Sequence, residues 1–139
     1  MFSIDVMAGR LLEMRVYGPT VPADLDAGQA RLIHFFQTIP DKLVVCADFT
    51  RAALFSQEVA TRVLGAFRYD NPRIERSGIL ISDSAIFGLQ LERLITQAGN
   101  PNRRCFRDPF ELKTFLGKLL VREEHARLAR FLSEHPPEV

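Results

Sequence analysis

The sequence predicts an open α/β sheet of about five strands with an antiparallel N-terminal hairpin, parallel β-α units after it and a C-terminal helical extension. Three observations carry this. Between Asp41 and Asp108 the chain twice passes from an apolar strand through a Ser-bearing turn into an amphipathic helix. Ahead of these units, two stretches of alternating polarity flank a Gly-bearing turn. Within the units the strands are continuously apolar, the pattern of interior strands covered on both faces of a largely parallel sheet.

The elements follow in order. Residues 2–7 and 11–17 flank Ala8-Gly9-Arg10. Phe2, Ile4 and Val6 oppose Ser3, Asp5 and Met7, while Leu12, Met14 and Val16 oppose Leu11, Glu13, Arg15 and Tyr17. This alternation predicts a hairpin at the sheet edge with one wetter face. A helix is predicted from about Ala23 to Thr38, with Leu25, Gln29, Leu32, Ile33 and Phe36 at helical spacing between Pro22 and Pro40. The apolar strand Leu43–Phe49 comes next. Ser56, a natural N-cap, opens a helix through Arg68 whose stripe is Val59, Val63, Leu64 and Phe67.

The second unit has a strand at Gly78–Ile81, the turn Ser82-Asp83-Ser84, and a helix to about Ala98 carrying Phe87, Leu91, Leu94 and Ile95. Gly99-Asn100-Pro101 stops that helix. A short strand, Arg103–Arg107, precedes Asp108-Pro109, which caps and opens a helix with Leu112, Phe115, Leu116, Leu119 and Leu120 buried. Beyond Val121 the apolar line thins to Leu128, Phe131 and Leu132 among charges, and Pro136-Pro137 ends it. The α/β domain is therefore placed at residues 1–120. Residues 121–139 form a C-terminal helical extension and tail, read either as a docking element or as a solvated end.

Composition narrows the function classes. The 139 residues are 47% hydrophobic and 25% charged, in the ordinary globular range. Eighteen basic against seventeen acidic residues exclude a whole-surface attraction to nucleic acid or an anionic membrane. There is no apolar run long enough to span a bilayer. The strand-like start, without a leader pattern, predicts a cytoplasmic address. Cys46 and Cys105 fall in strands without Cys or His neighbours and are expected to be buried, reduced thiols. Histidines 34, 125 and 135 lack metal-ligand spacing, and His34 is expected to be a partly buried packing residue. Leu116-Gly117-Lys118 lacks the first glycine of a phosphate loop. No catalytic, metal or cofactor signature is legible, so the expectation is a non-enzyme without a cofactor.

The element order, with an opening hairpin and Asp48-Phe49-Thr50 at the end of the third strand, resembles the SpoIIAA-like superfold of anti-sigma-factor antagonists (STAS domains), which has lipid-transfer relatives of the CRAL-TRIO type. STAS proteins carry Asp, a hydrophobic residue and Ser or Thr at that strand end. They then place Asp-Ser-Ser-Gly at the helix start, where a Ser is phosphorylated by a partner kinase. Here the helix start reads Ser56-Gln57-Glu58-Val59. Ser56 takes the cap position, while Gln57 and Glu58 stand at the phosphoacceptor and glycine positions. Glu58 is a fixed negative charge there. Ser82-Asp83-Ser84 lies one strand later, where Asp83 or Ser84 is read as a helix cap.

The resemblance implies a bacterial, cytoplasmic regulatory or protein-interaction module. Its partner-binding surface would lie at Asp48, Thr50, Ser56, Gln57, Glu58 and Ser84, with a protein partner or a second copy as occupant. The rival reading is a carrier of an apolar ligand or lipid, with a cavity lined by Phe49, Phe55, Phe67 and Phe87. Eleven phenylalanines against no tryptophan suit either that cavity or an ordinary core. Arg73, Arg76, Arg103, Arg104 and Arg107, the densest basic group, are read as a solvated rim paired with Asp70, Glu75 and Asp108.

Overall fold

The computed structural model describes residues 2–134. His135 and the closing Pro136-Pro137 lie outside the described residues. Strands β1 (Phe2–Ala8) and β2 (Leu11–Gly18) form the hairpin, and Gly9 takes the positive φ (53°) that its turn requires. There follow α1 (Pro22–Thr38), β3 (Leu43–Ala52), α2 (Gln57–Asp70), β4 (Ile74–Leu80), α3 (Ala85–Ala98), β5 (Arg103–Phe106), α4 (Pro109–Gly117) and α5 (Arg122–Ser133). The helix stops and starts are local: Ser56, Ser84 and Asp108 each cap with a side-chain oxygen, and Gly99 closes α3 at φ 77°.

The sheet order is β1-β2-β3-β4-β5, with β1 antiparallel to β2 and every other pair parallel. This is the open mixed sheet expected. Because each crossover steps to the next strand in the same direction, α1, α2 and α3 share one face. Their core centres on Phe49, Val59, Val63, Phe87 and Leu91. The strand order never reverses, so the sheet has no switch-point crevice of the doubly wound kind. The chain instead turns back past β5 and lays α4 and α5 over the opposite face. There Leu11, Cys46, Leu112, Leu116, Leu128 and Phe131 pack together.

Three expectations change. Of the hairpin only β1 is at the sheet edge; β2 lies inside the sheet, and its Glu13 and Arg15 are buried rather than wet. The reason is α5, which covers that face and brings partners: Arg127 pairs with Glu13, and Phe131 O accepts from Arg15. Of the two forms open to the segment after Val121, a continuation of the preceding helix or a second short helix, the structure has the second. The arginines are a solvated rim only in part: Arg104 and Arg107 are exposed, Arg73 and Arg76 are half-buried, and Arg103 is inside. Arg103 is 3% exposed, donates to Asn71 Oδ1 (2.7 Å) and lies over the Phe67 ring, while Arg76 and Arg104 lie over Phe115. His34 is exposed, on the side of α1 turned from the sheet. Cys46 is buried, with its thiol pushed up by burial, and Cys105 is half-buried and pushed up to about 12 for the same reason. Both are protonated and unreactive at neutral pH.

Candidate functional site

The strand-to-helix turn that follows β3 in the chain is fastened to α3. Phe55, between β3 and α2, donates its N–H to Gln90 Oε1 of α3 and accepts from Gln90 Nε2, both at 2.9 Å. The side-chain amide thus pairs with the loop backbone as a neighbouring strand would. The Phe55 ring meets Phe87 edge-on at 5.2 Å and packs by its edge on Phe49. This rigid base carries three large apolar side chains into solvent: Leu54 (54% exposed), Ile86 (69%) and Leu89 (62%). Ile86 and Leu89 lie one helical turn apart on α3, and Leu54 adjoins the clamped Phe55.

The sequence-predicted residues divide between the two faces of the sheet. Ser56, Gln57 and Glu58 are exposed at the start of α2, where the Ser56 hydroxyl accepts the Val59 N–H at 3.2 Å. Ser84 is exposed at the start of α3 and accepts from Phe87 N at 3.5 Å. Glu58 reaches Arg62 at 3.7 Å. Asp48 and Thr50 point to the opposite face, under α5. Asp48 is buried: Oδ2 accepts from Arg15 (2.7 Å), and Oδ1 accepts from Thr50 N and Oγ1. Arg15 also lies over the Phe131 ring at 4.0 Å. The first four residues therefore share a surface, and Asp48 with Thr50 brace the end of β3 from behind it.

A second feature lies between α1 and α2, over β1–β3. It is a cavity of about 380 Å³ lined by Phe2, Met14, Leu25, Phe49, Phe55 and Phe67 among others. Phe87 is not in its lining; that ring packs into the α2–α3 core instead. Two polar links cross from α1 to α2: Arg62 to Asp26 at 2.8 Å, and Gln29 Nε2 to Asp70 Oδ1 at 2.8 Å. Asp70 is 4% exposed, and burial pushes its carboxyl up to about 6 against the pull of Gln29, Arg103 and Arg73. Burial likewise lowers Arg103 to about 10. Among the described residues no cluster of three His, Cys, Asp or Glu side chains is placed to hold a metal ion. No helix among them is long and apolar enough to cross a membrane.

This strand order and helix placement recur in solved structures. An uncharacterised protein of the DUF3478 family with a SpoIIAA-like fold, from Shewanella loihica PV-4, matches with a TM-score of 0.64. It is 14% identical over 83% of this chain and 93% of that one. The anti-sigma factor antagonist SpoIIAA in its unphosphorylated form matches with a TM-score of 0.59, at 13% identity over 88% of this chain and 100% of that one. The chain has the SpoIIAA-like fold. The phosphorylated form of SpoIIAA, described as a Bacillus cell fate determinant, matches with a TM-score of 0.54, at 11% identity over 82% of this chain and 98% of that one. No protein-family model and no curated protein matches in sequence, and identities this low speak for the fold alone.

Within this SpoIIAA-like fold, sequence reasoning found the turns at Ser56 and Ser84 and singled out none of the apolar trio beside them. A signal existed. Ile86 and Leu89 lie off the Phe87–Leu91–Leu94 stripe that α3 buries, and apolar residues off a buried stripe mark a contact surface. The buried Glu13–Arg127 and Arg15–Asp48 pairs had no local signal.

Proposed function

We propose that this chain is a non-enzymatic protein-interaction module of STAS-like type. Its contact surface is the end of the molecule where β3 and β4 run into α2 and α3. The observation that carries this is the exposed trio Leu54, Ile86 and Leu89 on a base locked by the Gln90–Phe55 clamp. Exposed apolar groups on a rigid base, rimmed by Ser56, Gln57, Glu58 and Ser84, have the make-up of an interface with an apolar centre and a polar rim. In this reading Asp48 and Thr50 do not touch the partner; they hold the end of β3. The anti-sigma factor antagonist among the fold neighbours supports a regulatory partner of protein nature. Gln57 and Glu58 stand where the resemblance places the phosphoacceptor and the glycine, and neither side chain accepts a phosphoryl group as a serine does.

The test is native mass spectrometry of the chain purified gently from its own host, beside a Leu54→Asp/Leu89→Asp variant. The expected result is a second polypeptide at fixed stoichiometry with the natural chain and its loss from the variant, whose folding is checked by circular dichroism. Equal retention by the variant would remove this surface from the reading. A bare monomer in both samples would remove the partner.

A further inference from the structure

The cavity between α1 and α2 borders the surface just described through Phe49 and Phe55 and is not explained by it. Protein interiors close their gaps to below the size of a water molecule. Here about 380 Å³, open to solvent on one side, remains over Phe2, Met14, Phe49 and Phe67. The helix above it is shallowly seated: α1 buries only Gly28 and Leu32 of its 17 residues, whereas α3 buries five of 14. On α2, Gly65 lines the same space, and a β-carbon built there meets nothing within 4 Å. A glycine in mid-helix weakens the helix; at this place it keeps the cavity rim clear. Thr20, also in the lining, has a hydroxyl that is buried and lacks a hydrogen-bond partner among the described residues. Such an orphan is costly unless something completes it.

The charges in the lining narrow the occupant. Asp24, Asp26 and Asp70 outnumber Arg62, which is already held by Asp26 (2.8 Å) and Glu58 (3.7 Å). A ligand with a carboxylate head would meet this acidic excess, an ammonium head would find Asp26 and Asp70 already engaged by Arg62 and Gln29, and an apolar body suits the phenylalanines. A cavity of roughly 150 Å³ takes up benzene, so the space here suits an apolar molecule of about fifteen non-hydrogen atoms. We propose that the α1–α2 cavity binds an uncharged amphiphile of this size, its single hydrogen-bonding oxygen meeting the Thr20 hydroxyl.

The test uses the full chain, the environment-sensitive dye N-phenyl-1-naphthylamine as probe, and displacement by 1-dodecanol, dodecanoate or dodecylamine. The dye is expected to bind at one site and to be displaced best by the alcohol. Ala66→Phe, in the lining, should weaken the dye about tenfold or more by filling the space. Gly65→Leu, whose first carbon has room, is the second variant, and urea unfolding of both shows that they fold. Thr20→Val should weaken dodecanol about fivefold while leaving the dye within about twofold. Failure of the dye to bind the natural chain, or unchanged binding in folded Ala66→Phe and Gly65→Leu, would overturn the site. A preference for dodecanoate or dodecylamine over the alcohol would overturn the uncharged head. Equal weakening of alcohol and dye by Thr20→Val would remove Thr20 from its role.

Discussion

The Glu124 carboxylate occupies the space beside Gly9 that a side chain there would need. One oxygen accepts the Arg10 N–H at 2.8 Å and the other the Val121 N–H at 2.9 Å, so one buried acid ties the start of α5 to the β1–β2 turn. A β-carbon on Gly9 would overlap that carboxylate, and the φ of 53° is itself unfavourable for any other residue. Gly18 has a similar φ of 62° but open space around it. Gly18→Ala should therefore cost about 1–2 kcal/mol for the backbone alone. Gly9→Ala should cost about 2–4 kcal/mol, because a buried carboxylate is displaced as well. Urea unfolding measures both, and equal costs would show that Glu124 yields freely.

Removal of residues 122–139 is expected to abolish cooperative unfolding. The deletion takes away Leu128 and Phe131, both buried, and strips Glu13 of Arg127 and Arg15 of the Phe131 carbonyl. The deletion also uncovers apolar neighbours in the same cluster, such as Leu11 and Leu116. Lost burial at about 1.5–3 kcal/mol per large side chain sums to about 5 kcal/mol or more, comparable with the whole stability of a small domain. A truncated chain with a sharp urea transition would instead put the domain boundary at Leu120.

At the start of α2 the Ser56 hydroxyl accepts the Val59 N–H at 3.2 Å while remaining exposed. Ser56→Ala should cost about 1 kcal/mol through the lost cap. Ser56→Asp should fall within about 0.5 kcal/mol of the natural chain, since a carboxylate caps as well and suits the helix dipole. A large loss with Asp would mean that the hydroxyl has a task besides capping.

Stability should fall as pH rises through about 6, because the Asp70 carboxyl titrates there in the folded protein against an ordinary 3.8. The folded state holds that proton more tightly, so the contribution is complete below the unfolded value and is lost above the folded one. Asp70→Asn keeps an oxygen for Gln29 Nε2 and carries no charge to bury. It should flatten the profile between about pH 4 and 7 and raise stability at pH 7 by about 2 kcal/mol. Chemical denaturation at several pH values checks this; parallel profiles for the two proteins would assign the proton elsewhere.

Much of the fold was legible because its signals are short-range. The Ser56, Ser84 and Asp108 caps, the Gly99 stop and the unbroken apolar run of β3 each depend on a few consecutive residues. Their order along the chain was enough for the fold class and for the hairpin. The same reading placed Glu13 and Arg15 in water, since alternation records which face a residue takes but not what later covers that face. Arg127 lies 114 residues from Glu13, and Asp48 lies 33 from Arg15.

For the candidate sites the division is similar. By itself the sequence determined that Ser56, Gln57 and Glu58 start a helix after an apolar strand, because capping and periodicity are local matters of backbone hydrogen bonding and burial. Only the tertiary structure decided that Asp48 turns away from them to meet Arg15, that Gln90 locks Phe55 beneath Leu54, and that α1 stands off from α2 around a cavity. Those outcomes depend on where whole helices come to rest, and that is set by the summed packing of many distant side chains rather than by any one stretch of chain.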